Sequence, residues 1–139
     1  MKGGGPTKEG KLSDWRGLET FSFGDNPELA EGLGRLVLEG KKTATCWAAS
    51  EGPKTRTGQR WVMLDGGGSP RAVLETVDLV QRRFDEVDEA FAYEEGEDDC
   101  TLASWRAAHR SYFGRRGQFS EDMLLWCERF RVVERLQGE

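Results

Sequence analysis

Gly40-Lys41-Lys42-Thr43-Ala44-Thr45-Cys46-Trp47 is the stretch on which the reading of the fold turns, because a helical pattern stops at its start and a strand pattern begins within it. Ahead of it, Asp25 and Asn26 stand before Pro27 and Glu28. That order caps free amides, presets the first helical turn and puts an acid at the positive end of the helix dipole. Leu29, Leu33, Leu36 and Val37 then recur at helical spacing up to Gly40, a suitable C-terminal stop. Thr, Cys and Trp behind the stop favour a strand that follows at once. Lys42 and Thr45 lie three positions apart, and a regular strand would send them to opposite faces. Both reach one pocket only if the segment starts as an irregular or helical turn.

Working outward, Gln59 to Asp65 and Arg71 to Arg83 read as two strands joined by the turn Gly66-Gly67-Gly68-Ser69-Pro70. That glycine run lacks the Gly-Lys-Ser/Thr ending of a phosphate-binding loop and is read as a hairpin turn. Phe84 to Tyr93 and Thr101 to Tyr112 read as short helices. The second is capped by Thr101, with Leu102, Trp105, Ala108, His109 and Tyr112 on one face. Leu124 to Leu136 reads as a final strand. Helix, strands, helices and strand in that order predict an α+β fold, a small β-barrel or curved mixed sheet flanked by about three short helices. The mouth of such a sheet is a usual ligand site. Residues 1–14, rich in Gly and Lys, predict a flexible tail, and residues 15–139 a single domain.

The chain of 139 residues has a formal charge of −5, from 20 basic and 25 acidic residues, which argues against wrapping a long duplex. The charge is uneven, however. Nine acids and no base lie between Asp85 and Asp99, leaving 20 basic against 16 acidic residues elsewhere. The acidic run reads as a solvated helix and loop, and its spacing is not that of an EF-hand. Cys46, Cys100 and Cys127 are odd in number and lack paired metal-ligand spacing, and no secretory signal precedes them. A reduced cytoplasmic setting without disulfides is therefore expected. Cys46, with no base identifiable beside it, is read as structural. No apolar run approaches the length needed to span a bilayer.

Gly40-Lys41-Lys42-Thr43-Ala44-Thr45 matches a Gly-x-Lys-x-x-Thr signature, and its surroundings extend the match. They include Phe23-Gly24-Asp25, Phe84-Asp85-Glu86-Val87, Phe91-Ala92, Glu95-Gly96-Glu97-Asp98-Asp99, Trp105-Arg106 with His109, and Cys127-Glu128-Arg129-Phe130. On these residues the chain resembles the small bacterial branch of the ASCH domain family, β-barrel relatives of the PUA RNA-binding domain, over roughly Phe21 to Val133. The resemblance implies a PUA-like cleft faced by the signature lysine and a link to RNA or modified nucleosides. It covers RNA binders, a single-strand ribonuclease and amidohydrolases acting on N4-acetylcytidine. From the amidohydrolases it implies a working trio of Lys42, Thr45 and Glu95. The insertion Gly96-Glu97-Asp98-Asp99 departs from those compact enzymes.

For amide hydrolysis, a Lys42 with its pKa lowered by burial or by Lys41 would take the Thr45 proton, and Glu95 would position water or protonate the leaving amine. For RNA cleavage, Lys42 would act as base or stabilise the phosphorane, with help from Arg106 or His109. Neither route requires a metal or cofactor. Lys41, Trp47, Lys54, Arg56, Arg60, Arg106 and His109 are the expected substrate contacts, with Trp47 and Trp61 able to stack on a base beside the basic loop. The leading expectation is metal-independent cleavage of single-stranded RNA. The rivals are N4-acetylcytidine hydrolysis and a non-catalytic RNA-binding module. Single-stranded RNA or a modified nucleoside is the expected partner, with no membrane and no obligatory protein partner.

Overall fold

The computed structural model describes residues 15–136, so the tail expected over residues 1–14 lies outside the described residues. Five strands, β1 (Thr20–Phe21), β2 (Ala44–Ala48), β3 (Arg60–Leu64), β4 (Pro70–Arg83) and β5 (Leu124–Arg135), form one sheet in the order β1-β3-β4-β5-β2. Three α-helices accompany it, α1 (Pro27–Leu38), α2 (Glu89–Glu95) and α3 (Leu102–Arg115). Of the two architectures expected, this is the curved mixed sheet. It stays open, with β1 and β2 at its edges.

Local chemistry accounts for most elements. Asn26 caps α1 by accepting from the Leu29 amide at 2.8 Å, and Pro27 opens the helix. Thr101 caps α3 by accepting from the Ser104 amide at 3.1 Å. The hairpin forms as read, β3 pairing antiparallel with β4. Irregularities at Val73/Leu74 and Thr76/Asp78, where β4 meets β5, are the local bends that curve the sheet.

Three expectations need correction, and one strand was not anticipated. The strand after α1 does not follow the helix stop at once. Gly40 to Thr43 are irregular, and β2 begins at Ala44. The helix read over Phe84 to Tyr93 is a 3-10 turn at Phe84–Glu86 followed by α2, because Val87 and Asp88 are extended and Asp88 caps a new start. Helix α3 runs on to Arg115, with Ala108 and Tyr112 exposed instead of sharing the buried face. Strand β1, two residues parallel to β3, is too short to leave a periodic signal.

Strand alternation divides β5 between two cores. Leu125 and Cys127 join Ala44 and Ala48 of β2 in a layer covered by Phe84, Phe91, Trp105 and Phe113. Phe130 points the other way, to Leu74, Ala72, Met63, Phe23 and Val37 of α1. Phe84, Phe91 and Phe113 are at most 1% exposed, each contributing about 1.5–3 kcal/mol of burial. Among the described residues no helix is long and apolar enough to cross a membrane.

Candidate functional site

The irregular lead-in to β2 is held at both ends. The amides of Lys41 and Lys42 donate to the Leu36 carbonyl, the Thr43 amide donates to the Glu94 carbonyl at 2.7 Å, and the Thr43 carbonyl accepts from Phe130 at 3.0 Å. This turns the Lys42 side chain inward, where it is 1% exposed with its ammonium 5.4 Å from the Phe23 ring centroid. Four oxygens surround the three N–H donors of Nζ: Ala44 carbonyl at 2.8 Å, Glu95 carbonyl at 3.3 Å, Glu95 Oε1 at 3.0 Å and Glu97 Oε2 at 2.7 Å. Burial works to lower the Lys42 pKa, yet the adjacent Glu95 and Glu97 carboxylates outweigh it and the pKa is raised. The lowering expected for a base is therefore not found. Lys41 does not contribute one either, since it is exposed and pairs with Glu39 at 3.6 Å.

Glu95 ends α2 and is 2% exposed. Gly96 follows in the left-handed conformation at φ 71°, and a Cβ there would collide with the Lys41 carbonyl. Glycine at this point lets the chain turn back over Lys42 and deliver Glu97, whose side chain is 33% exposed. Burial acts to raise the Glu95 pKa, but Lys42, His109 and the indole of Trp105 hold the carboxyl below its ordinary value. Trp105 Nε1 donates to Glu95 Oε2 at 3.1 Å, and His109 Nε2 lies 3.8 Å from the same oxygen. His109 stacks on Trp105 with centroids 4.3 Å apart, its Nδ1 2.9 Å from the Trp105 carbonyl. A carbonyl only accepts, so Nδ1 carries the hydrogen.

Cys46 completes this cluster, with Cys46, Glu95 and His109 offering ligand atoms within 4.8 Å of one another. The set does not suit a cation as it stands. Both Glu95 oxygens are taken by Lys42 and Trp105, and burial, reinforced by Glu95, pushes the Cys46 thiol well up, away from the thiolate a metal needs.

Thr45 belongs to the opposite face of β2 from Ala44 and Cys46. It sits directly across from Glu128 of β5, and the next pair on that face is Trp47 with Trp126. Among the described residues Thr45 makes no side-chain hydrogen bond to Lys42 or Glu95. The structure thus joins Lys42 to Glu95 and sets Thr45 on a second surface. Glu128 Oε2 accepts from Thr76 at 2.7 Å, Thr76 and Thr55 share a hydrogen bond of 2.8 Å, and Trp61 Nε1 donates to Thr55 at 2.8 Å. Burial pushes the Glu128 carboxyl above its ordinary pKa, opposed by Thr76 and by the Lys42 charge.

The remaining expected contacts divide between the faces. Trp47 donates to the Gly52 carbonyl at 2.7 Å, and Lys54 lies 5.6 Å from its ring while pairing with Glu51 at 2.7 Å. Arg56 reaches Gln59 at 3.5 Å, and Arg60 is paired with Glu75 at 3.2 Å. Arg106 and His109 belong to α3, over the other face, where Arg106 reaches the Val87 carbonyl at 3.5 Å. Sequence reasoning missed Glu97, Glu128 and the Cys46 contact. For Glu128 a signal existed, a carboxylate sharing the strand parity of Trp126 and Phe130.

The open, curved sheet flanked by helices is the PUA-like fold that the resemblance implied. The family model of the ASCH domain matches residues 19–134, and the chain belongs to the ASCH domain family, whose fold is associated with RNA binding and hydrolytic chemistry. It is similar to an ASCH domain from Lactobacillus crispatus, with 32% identity over 88% of this chain and 83% of that one and a TM-score of 0.78. It is also similar to protein EF3133 from Enterococcus faecalis, with 31% identity over 93% of this chain and 85% of that one and a TM-score of 0.75. An ASCH structure from Zymomonas mobilis, 12% identical over 86% of this chain and 69% of that one with a TM-score of 0.55, shares the fold. No curated protein matches the sequence.

Proposed function

We propose that this protein takes single-stranded RNA, or a nucleoside, at the Glu97 side of Lys42 and hydrolyses it with Lys42 as the fixed positive charge. The observation that carries this reading is the state of Lys42, buried, ionised and held by Glu95 and Glu97 at 3.0 and 2.7 Å. A lysine held this way has no lone pair to offer as a base. Its chemistry is electrostatic, stabilising negative charge that builds on an oxygen of the substrate, and it needs no metal ion for that role. Of its two carboxylate partners, Glu97 is the one that is only half-buried. A phosphate oxygen that displaces Glu97 would receive the freed N–H donor, so cleavage of single-stranded RNA with Lys42 stabilising the phosphorane is the preferred reaction.

A second reading, hydrolysis of N4-acetylcytidine by Lys42, Thr45 and Glu95, is favoured by one observation, the 3.0 Å contact between Lys42 and Glu95. Incubating the protein, with a chelator present, against labelled single-stranded RNA and against N4-acetylcytidine separates the two. RNA shortening that disappears in a folded Lys42→Ala variant, and survives Thr45→Ala, is the expected result. Deacetylation abolished by Thr45→Ala establishes the second reading instead. RNA binding without turnover of either substrate leaves a binding module and overturns both.

A further inference from the structure

Helix α1 covers only one end of the sheet face it packs on. Along β5, Trp126, Glu128 and Phe130 point the same way, and of these Phe130 alone joins the core beneath α1. The bond from the Phe130 amide to the Thr43 carbonyl sets the pattern of the β2–β5 ladder. Thr45 with Glu128 and Trp47 with Trp126 are therefore hydrogen-bonded pairs too, the wider kind, with Cα atoms about 5.5 Å apart. Two indoles thus stand side by side at the uncovered end of this face, both partly exposed and neither a member of either core. Leu124, 47% exposed, continues the row two positions away, across from Arg83.

The two rings are not held alike. Trp47 is fixed by its N–H bond to the Gly52 carbonyl at 2.7 Å, with the Lys54 ammonium 5.6 Å from its ring centroid. The Trp126 indole nitrogen is shielded from solvent and has no acceptor among the described residues, an unmet donor of a kind that folded proteins rarely keep. A partly exposed aromatic row with an unused N–H calls for flat ligands that carry acceptors at their edges, and nucleobases are such ligands. Charge selects the rest of the ligand. Lys54 and Arg83 flank the row, and the acids that hold them, Glu51 and Asp85, each at 2.7 Å, form surface pairs that a phosphate group can replace. Trp61, the other indole expected to stack, is instead taken up by Thr55 and by the edge-on Phe21 ring.

We infer that Trp47 and Trp126 form a base-stacking subsite, so that the ligand of this protein is a single strand of several nucleotides and not a free nucleoside. Strand β2 joins this subsite to the proposed centre. The Lys42 ammonium lies 2.8 Å from the Ala44 carbonyl, and Trp47 stands three residues further along β2, roughly 10 Å away at about 3.3 Å per residue. A phosphate at Lys42 and a base on the indoles therefore belong to different nucleotides of one strand. Because β2 is an edge strand, no other strand separates the Glu97 side of Lys42 from the tryptophans. The inference rests on the proposed reading of Lys42 as the charge that meets phosphate.

Fluorescence anisotropy tests it with two labelled probes of equal length and charge, an octamer of cytidine and an octamer of abasic sugar-phosphate spacer. The wild-type protein should favour the cytidine octamer by about tenfold, within the range for one stacked base. Trp126→Leu keeps the apolar bulk without the aromatic face and should lose most of that preference, whereas Trp126→Phe should retain most of it. Equal binding of the two octamers by the wild type overturns this inference alone, since phosphate contact at Lys42 survives that result. Full preference in a folded Trp126→Leu variant also overturns it. Binding of neither octamer defeats the proposed function with it. A wild-type dimer in sedimentation that Trp126→Leu dissociates, with octamer binding unchanged, gives the face to a second copy of the chain and overturns the inference. Thermal melts identify a variant that fails to fold, and the wild-type comparison of the two probes then decides by itself.

Discussion

Replacing Lys42 by Met tests whether the buried ion pair is the electrostatic centre of the molecule. The substitution keeps most of the side-chain volume and removes the ammonium 3.0 Å from Glu95, where the two side chains are 1% and 2% exposed. At an effective dielectric constant near 20 the lost attraction is about 5 kcal/mol, and breaking a buried pair on one side costs about 3–5 kcal/mol. For a domain of this size that lowers Tm by roughly 10–20 °C. The pH dependence carries a sign. In the wild type the Glu95 pKa is lowered, so its contribution is present above the ordinary carboxylate range and is lost as pH falls through the folded value. Without Lys42, the largest opposing charge is gone and only His109 and Trp105 oppose burial, so the Glu95 pKa should rise and the variant should lose stability as pH rises through the range just above the ordinary carboxylate value. Urea unfolding at 25 °C, at pH 5 and pH 7, reads both effects. Lys42→Met should be less stable at pH 7 than at pH 5 relative to wild type, and adding Glu95→Gln should recover most of the loss. A cost below about 1 kcal/mol at pH 7, or no recovery in the double variant, would refute the reasoning.

Gly96→Ala, which puts a Cβ against the Lys41 carbonyl at a φ of 71°, should cost about 1–3 kcal/mol in thermal unfolding. Glu97→Gln leaves Glu95 as the only carboxylate paired with Lys42. It should tighten binding of a single-stranded RNA octamer several-fold and steepen its salt dependence, read by anisotropy from 50 to 200 mM salt. Burial pushes the Cys127 thiol up to about 12, so iodoacetamide at pH 8 should label it only after denaturation, as mass spectrometry of the peptide would show. Asp88→Ala removes the cap that accepts from the Phe91 amide at 2.9 Å and should cost about 1 kcal/mol, measured by urea unfolding.

Elements governed by neighbours in the chain were legible in the sequence. Asn26 with Pro27 marks the start of α1, Thr101 the start of α3, and the glycine run at 66–68 the hairpin. The irregular lead-in to β2 matches the non-strand start read at Lys42, although Thr45 does not share its pocket as that reading assumed. What stayed hidden depends on chain segments meeting in space. The role of Glu97 arises from a left-handed turn that carries it back over Lys42, 55 positions away. Glu128 is tied through Thr76 and Thr55 to Trp61, residues that arrive from other parts of the chain. The charge of Lys42 could not be read from composition either, because burial and carboxylate pairing pull its pKa in opposite directions and only geometry decides between them.

Glu94 ties the last turn of α2 to the lead-in and the sheet at two points, through its carbonyl to the Thr43 amide and through its carboxylate to Arg129, which also reaches Asp78. Both chain segments that present Lys42 and Glu95 therefore hang from one residue on the neighbouring helix turn. Exposing the ammonium from that side requires parting the lead-in from α2, and the same event uncovers Phe91, so the amides of Thr43 and Ala92 should exchange with solvent together, on the clock of the whole domain. On the Glu97 side the ammonium is covered by a single half-buried carboxylate.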